Sequence, residues 1–214
     1  MTIRKKTWLL CLLALMAIPL AAGAFSCQAS ASTQKEKAFK AYRKFLSKRK
    51  IDWDGDEYEP QIMSKLDFAI AYIDNNDVPE LVIHNTRGPS HGVFGEGMVY
   101  IYWKGRLKKA GALGCSLMKW VRYYEKIGII RDYSFDNFNR NWCYYYRLTG
   151  GKVRATGTES EYNYDDRRWE YSANFKKCSR KKYDQSIQAV TKNKTGKKFK
   201  WIKNTAANRK KYLK

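Results

Sequence analysis

The first hydrophobic feature of the chain is an uncharged run from Thr7 to Ala22, dominated by Leu, Ala, Ile, Met and Trp. Arg4, Lys5 and Lys6 precede it, and the small residues Ala22-Gly23-Ala24 close it. A basic start, an apolar middle and an A-x-A end make the three-part layout of a secretory signal peptide. A membrane-spanning helix needs about 20 apolar residues, and this run is shorter and broken by Pro19 and Gly23. The expected organisation is a signal peptide over 1–24, a polar small-residue linker over 25–34 and a single basic domain over 35–214. No transmembrane helix is expected in the mature chain.

Past the linker the pattern takes a helical period. Ala38, Ala41, Tyr42 and Phe45 fall at i, i+3, i+4 and i+7 with Lys and Arg on the other face, which predicts a helix over 35–49. Residues 62–66 predict a short helical turn. The middle of the chain is strand-like. Residues 68–73 and 81–84 are apolar runs on either side of Asp74-Asn75-Asn76-Asp77, as two antiparallel strands around a tight turn would be. Hairpins are predicted over 98–107, 119–133 and 142–156, turning at Lys104-Gly105, Lys126–Gly128 and Thr149-Gly150-Gly151, with a further strand pair over 168–175. Their wealth of Tyr and Trp suits half-buried pleated surfaces. Near the C-terminus, Asp184 is expected to cap a helix running through Ile187 and Val190 and stopping near Gly196. A last strand is expected over 199–202, and Asn204 as the cap of a final helix over 205–213. The fold class expected is α+β: an N-terminal helix packed on a twisted antiparallel β-meander of Tyr-rich hairpins, closed by basic C-terminal helices. One echo keeps an alternative open. Tyr102-Trp103-Lys104-Gly105-Arg106-Leu107, with Gly111, matches Leu148-Thr149-Gly150-Gly151-Lys152-Val153, with Gly157, 46 residues later. That spacing is compatible with a partial propeller-like repeat, and equally with two hairpins sharing turn chemistry.

Charge changes the picture more than composition does. Arg4, Lys5 and Lys6 account for three units of a net charge of +22, so the chain from Phe25 carries +19. Residues 176–214 hold 15 Lys or Arg against the single acid Asp184. Lys176, Lys177, Arg180, Lys181, Lys182, Lys197, Lys198, Lys200, Arg209, Lys210 and Lys211 are therefore candidate polyanion contacts. The expected partner is an anionic cell-wall polymer or membrane surface. The competing explanation is that the lysines only confer solubility. No helix-turn-helix, zinc-finger or RNP pattern supports sequence-specific nucleic-acid binding.

Cys11 leaves with the signal, and Cys27, Cys115, Cys143 and Cys178 remain. Without C-x-x-C spacing or neighbouring histidines they do not read as a zinc site. In an oxidising compartment they predict a bridge, Cys115–Cys143 or Cys143–Cys178. Cys27 follows Ala24-Phe25-Ser26, a degenerate version of the segment that precedes a lipidated cysteine. Lipidation of Cys27 stands against simple cleavage after Ala24 or Ala31.

Chemistry-bearing clusters are few. Asp74, Asn76, Asp77 and Glu80 could supply oxygens to calcium, a possible cofactor. The alternative is an Asx-rich turn bonding its own backbone. Asp52, Asp54 and Asp56 also alternate, but Gly55 stands fourth where a calcium loop needs its glycine sixth. His84 and His91 are the only histidines, and Ser90-His91 lies in the Gly-rich stretch 88–97. No nucleophile, base and orienting acid complete a catalytic set, and the Gly-rich stretch lacks the Lys-Ser/Thr of a P-loop. Trp142 to Tyr146, with Tyr162, Tyr164, Trp169 and Tyr171, reads as strand packing or as sugar-stacking rings. Alternation along a strand puts at least one of Tyr144, Tyr145 and Tyr146 outward.

The order of segments carries a resemblance. A Lys-rich helix AFKAYRKFL, a Trp-containing acidic loop, FAIAYIDNNDVPELVI, Tyr-rich hairpins and the terminus NTAANRKKYLK follow one another. Over most of the mature chain this resembles the uncharacterised exported or lipoprotein-like proteins of gut gram-positive bacteria. The segment Tyr72 to Leu81 is also similar to a shortened D-x-N-x-D-G-x-P-E-L calcium loop of FG-GAP-type repeats. Aligned on Pro79-Glu80-Leu81, the first Asp of that loop falls on Tyr72 and its turn Gly on Asp77. The resemblance implies export and fold class, and brings no activity with it. The function expected is an exported, non-catalytic cell-envelope or secreted protein that binds an anionic polymer or surface. The rivals are a hydrolase of envelope or host glycans working through the 84–97 loop, and a calcium-stabilised interaction module.

Overall fold

The computed structural model describes residues 33–52, 60–85, 97–113, 120–135 and 141–214. The first helix, α1, spans 33–46. It begins inside the segment expected to be linker and buries Ala38, Phe39, Tyr42, Phe45 and Leu46 on one face. β1 (Lys50–Ile51) and β2 (Gln61–Ile62) form a small ladder, and a 3-10 turn at Met63–Lys65 leads into the main strands.

Those strands divide into two antiparallel sheets rather than one meander. β3 (Leu66–Ala71), β4 (Glu80–Asn85), β5 (Gly97–Trp103) and β6 (Arg106–Leu113) lie in sequence order in the first sheet. β7 (Arg122–Tyr124), β8 (Ile129–Phe135), β9 (Asn141–Thr149), β10 (Lys152–Asn163), β11 (Arg168–Ala173) and β12 (Lys176–Lys177) build the second. α2 (Arg180–Thr191), β13 (Lys197–Lys198), β14 (Ile202–Lys203) and α3 (Ala206–Tyr212) complete the chain.

Side-chain alternation explains the layering. Phe68, Leu81, Ile83, Met98 and Tyr100 point to one face of the first sheet and pack against Ala38, Tyr42, Phe45 and Leu46 of α1. Their neighbours Ala69, Val82, Val99 and Ile101 point the other way and meet Ile130, Leu148 and Phe199 of the second sheet and its flank. On the outer face of that sheet, Tyr124, Ile129, Cys143 and Tyr145 pack under Ile187 and Val190 of α2. The order of layers is thus helix, sheet, sheet, helix, in an α+β fold. Strands buried on both faces read as continuous apolar runs, which is why 68–73, 81–84 and 98–103 show so little alternation. The two echoing hairpins, β5–β6 and β9–β10, lie face to face in different sheets. A Cβ on Gly111 would meet Val153 at 2.8 Å, and one on Gly151 would meet Ile101 and Trp103. They are stacked, not set side by side as blades.

The C-terminal segment stitches the layers. β13 adds to β7 at the edge of the second sheet, and β14 adds to β3 at the edge of the first. Between them Phe199 stacks on Tyr123 at 5.0 Å, and Trp201 lies 5.0 Å from the His84 ring. Leu213 ends buried in the α1 cluster. The single strand expected over 199–202 is therefore a crossing between sheets.

Both expected caps are displaced. α2 starts four residues before Asp184, where the Ser179 hydroxyl accepts from the Lys182 N–H, and Asp184 instead pairs with Arg180 at i, i+4. α3 is capped by Thr205, whose side chain accepts from the Asn208 N–H. Asn204 is buried and donates to the Leu46 and Met63 carbonyls at 3.0 and 2.9 Å. Gly128, at φ +74°, ties the sheets together. Its N–H donates to the Ile73 carbonyl and its carbonyl accepts from the Leu148 N–H, both at 2.7 Å. Among the described residues no helix is long and apolar enough to cross a membrane.

Candidate functional site

The acidic turn between β3 and β4 is ordered by its own side chains. The Asp74 carboxylate accepts from the Asn76 backbone N–H at 3.0 Å and from its amide at 2.8 Å. Asn76 Oδ1 accepts from the Val78 N–H at 2.7 Å. Glu80 folds inward, 2 % exposed, and Oε2 accepts from the Ile73 N–H at 2.7 Å. Asp77 takes Lys126 at 3.0 Å from the turn between β7 and β8. Tyr42 of α1 donates to the Pro79 carbonyl at 2.8 Å. Each of the four candidate calcium ligands is thus engaged with a backbone donor, an amide or a lysine, as an Asx-type turn requires. Among the described residues no group of three or more His, Cys, Asp or Glu is placed to hold a metal. Burial, reinforced by the Asp74 carboxylate, pushes the Glu80 carboxyl up to about 8, beyond what its backbone donors offset. Burial also raises Asp74, against the pull of the Asn76 N–H and a hydrogen bond with Glu80.

The basic residues fall into three separate groups. Lys176, Lys177, Arg180, Lys181 and Lys182 lie on β12 and the start of α2, beside the second sheet. Lys197 and Lys198, followed by Lys200, lie along the opposite edge of that sheet, on β13 and the crossing. Arg209, Lys210 and Lys211 belong to α3, which packs with α1 on the far side of the first sheet. Contiguity in sequence does not become contiguity in space, because the chain crosses both sheets between residues 197 and 203. Some of these charges are spoken for: Lys177 pairs with Glu170, Arg180 with Asp184 and Lys197 with Glu125. Lys176, Lys181, Lys182, Lys198, Lys200, Lys210 and Lys211 are exposed and have no carboxylate partner among the described residues.

Two arginines join α1 to α3. Arg43 donates to the Leu213 carbonyl just past the end of α3. Arg209 donates to the Asn204 side chain at 2.8 Å and to the Leu46 carbonyl at the end of α1 at 3.4 Å. Each helix thus supplies a cation to the terminal carbonyls of the other, where the helix dipole favours positive charge. Arg43 was not singled out by sequence. Its only signal was the basic face of the helix AFKAYRKFL.

The remaining candidates have structural settings. His84, half-buried on β4, is pushed down to about 4 by burial, so its imidazole is neutral near pH 7. Cys143 and Cys178 carry free thiols, so neither expected bridge involving Cys143 forms. Cys143 lies under α2, where burial, partly opposed by Arg131, pushes its thiol up to about 11. Tyr145 is buried on the α2 side, and Tyr144 and Tyr146 are half-covered on the side facing the first sheet. None of the three is exposed, because this strand has a layer over each face. Of the candidate rings, Tyr164 at 39 % and Trp169 at 38 % are exposed, each edge-on to Tyr162. The segment expected to be a signal peptide, Cys27, Cys115, His91, most of the 88–97 stretch, Asp54 and Asp56 lie outside the described residues. Searches of family models, curated proteins and solved structures return no match to this chain.

Proposed function

We propose that this chain is an exported, non-catalytic cell-envelope or secreted protein that holds an anionic polymer or surface through its exposed lysines. One observation carries this reading: seven of the candidate lysines of the C-terminal region stand exposed without a carboxylate partner among the described residues. Like charges left unneutralised repel one another and draw in polyanions, with release of the condensed counterions. The layout at residues 1–24 and the resemblance to exported gram-positive proteins support a location where cell-wall polymers and anionic headgroups are the polyanions on offer. Because the groups lie on different sides of the fold, a long polymer touching several of them suits the surface better than one small ligand.

The test is retention of the purified chain on isolated cell wall as ionic strength rises. Binding is expected to fall steeply between about 0.05 and 0.5 M salt, as counterion release requires. Retention that does not change over that range removes the basis of the proposal.

A further inference from the structure

α1 and α3 enclose an open cleft of about 300 Å³ lined by Arg43, Ser47, Ala206, Arg209 and Lys210. Among the described residues, three of the five that line it are cations and none is an acid. We infer that this cleft is an anion site for a phosphate group carried on a polymer, held by Arg43, Arg209 and Lys210. The inference rests on the polyanion reading above and gives it a specific place.

Three features support it. Positive charges gathered in one concavity repel, and an anion seated among them relieves that repulsion. The two guanidiniums are also held in advance: Arg43 is fixed by the Leu213 carbonyl, and Arg209 by Asn204 and the Leu46 carbonyl. Asn204 is itself anchored by two carbonyls. A guanidinium has five donors, so these bonds set its orientation and leave further N–H groups without a partner among the described residues. A planar fork of that kind matches phosphate oxygens. Finally, Ser47 and Ala206 are the uncharged residues among the described lining, which offers no large apolar side chain to enter a bilayer. Ser47 is committed to the Arg43 carbonyl at 2.7 Å, which leaves recognition to the cations. A hydrated phosphate on a soluble polymer fits such a wall better than a lipid surface. Arg43 comes from the N-terminal helix, so the site does not exist within residues 176–214 alone.

The experiment titrates the full mature chain with a glycerol-phosphate oligomer and with inorganic phosphate, and sediments it with phosphatidylglycerol vesicles, all at one ionic strength. Wild type is compared with Lys210→Gln and with Lys182→Gln, a matched charge loss on the opposite helix layer. Both lysines are exposed, so both variants are expected to fold, and circular dichroism checks this. Lys210→Gln is expected to weaken oligomer binding about tenfold, as loss of one charge-assisted bond implies, and Lys182→Gln less than twofold. Inorganic phosphate is expected to compete with the oligomer in wild type. Equal weakening by the two variants overturns the cleft while leaving polyanion binding standing. Vesicle binding stronger than oligomer binding, and lost in Lys210→Gln, overturns the polymer as source. No binding by wild type to the oligomer or to cell wall overturns both proposals.

Discussion

Asn204 joins three segments through one amide. Its side chain donates to Leu46 of α1 and to Met63 ahead of β3, and it accepts from Arg209 of α3. Replacement by Ala removes three hydrogen bonds at once, leaving the Leu46 carbonyl only the longer bond from Arg209, the Met63 carbonyl only the Leu66 N–H, and Arg209 without its Asn204 acceptor. Each lost bond costs on the order of 1 kcal/mol, and somewhat more where a charged group is involved. Asn204→Ala is expected to lower unfolding stability by roughly 2–4 kcal/mol in urea denaturation; a change below about 0.5 kcal/mol would count against the bridging role. Sequence put Asn204 at a helix start because an N-cap and a buried bridging Asn share one local signature. Only the arrival of Leu46 and Met63 from far along the chain distinguishes them. Glu80 poses the same problem with a charge. Its carboxyl titrates near 8 when folded, against an ordinary 4.5. Between those values the folded state keeps a proton that the unfolded chain has released. The stabilisation it gives is therefore complete below about pH 4.5 and is lost as pH rises through about 8. His84, pushed down to about 4, acts with the opposite sign below its ordinary 6.5. The comparison with Glu80→Gln isolates the carboxyl, since Gln keeps an acceptor for the Ile73 N–H and cannot ionise. The wild-type melting temperature, relative to that of the variant, is expected to fall from about pH 5 to pH 8. A constant difference between the two would refute the buried, proton-holding carboxyl.

The elements show how far local pattern reaches. α1 was legible because its period and its basic outer face agree, and most hairpins were legible because their turns use glycine or Asx residues. α2 was placed five residues late, since Ser179 and Asp184 are both acceptable caps. The helix position matters for the cysteines. Cys143 lies beneath Tyr183 and Tyr145, 8 % exposed, while Cys178 stands half-exposed just ahead of α2. Alkylation by iodoacetamide at pH 8 is expected to label Cys178 rapidly. Cys143 is expected to react only as the helix opens or the chain is denatured, because a buried thiol held near 11 supplies little thiolate. Peptide mapping reads both rates, and equal labelling of the native protein would contradict the α2 packing.

At the scale of the molecule, residues 197–214 do structural work at the same time as they carry charge. They edge both sheets, place Phe199 in the core between them and Leu213 in the core under α1. Deleting 197–214 is expected to abolish the cooperative thermal transition, not merely to lower affinity for polyanions. Loss of a buried Leu alone costs about 2–5 kcal/mol, against a total stability of order 5–15 kcal/mol for a domain. A truncated chain that melts like wild type would show the segment to be an appendage. Binding studies that remove this segment would lose fold and charge together, so single substitutions at exposed lysines are the sound comparison.

The amino-acid sequence alone determined the α+β character, the place of the first helix, the hairpin turns and the uneven charge, since each is written in neighbouring residues. It also contained the Asx turn at 74–80, whose bonds run largely between residues a few positions apart. The division into two stacked sheets, the scattering of the C-terminal cations over three places, and the meeting of Arg43 with Arg209 were decided only in the tertiary structure. These features depend on which strand edges remain unpaired and which faces remain uncovered once the chain is packed, and no local window of sequence records that.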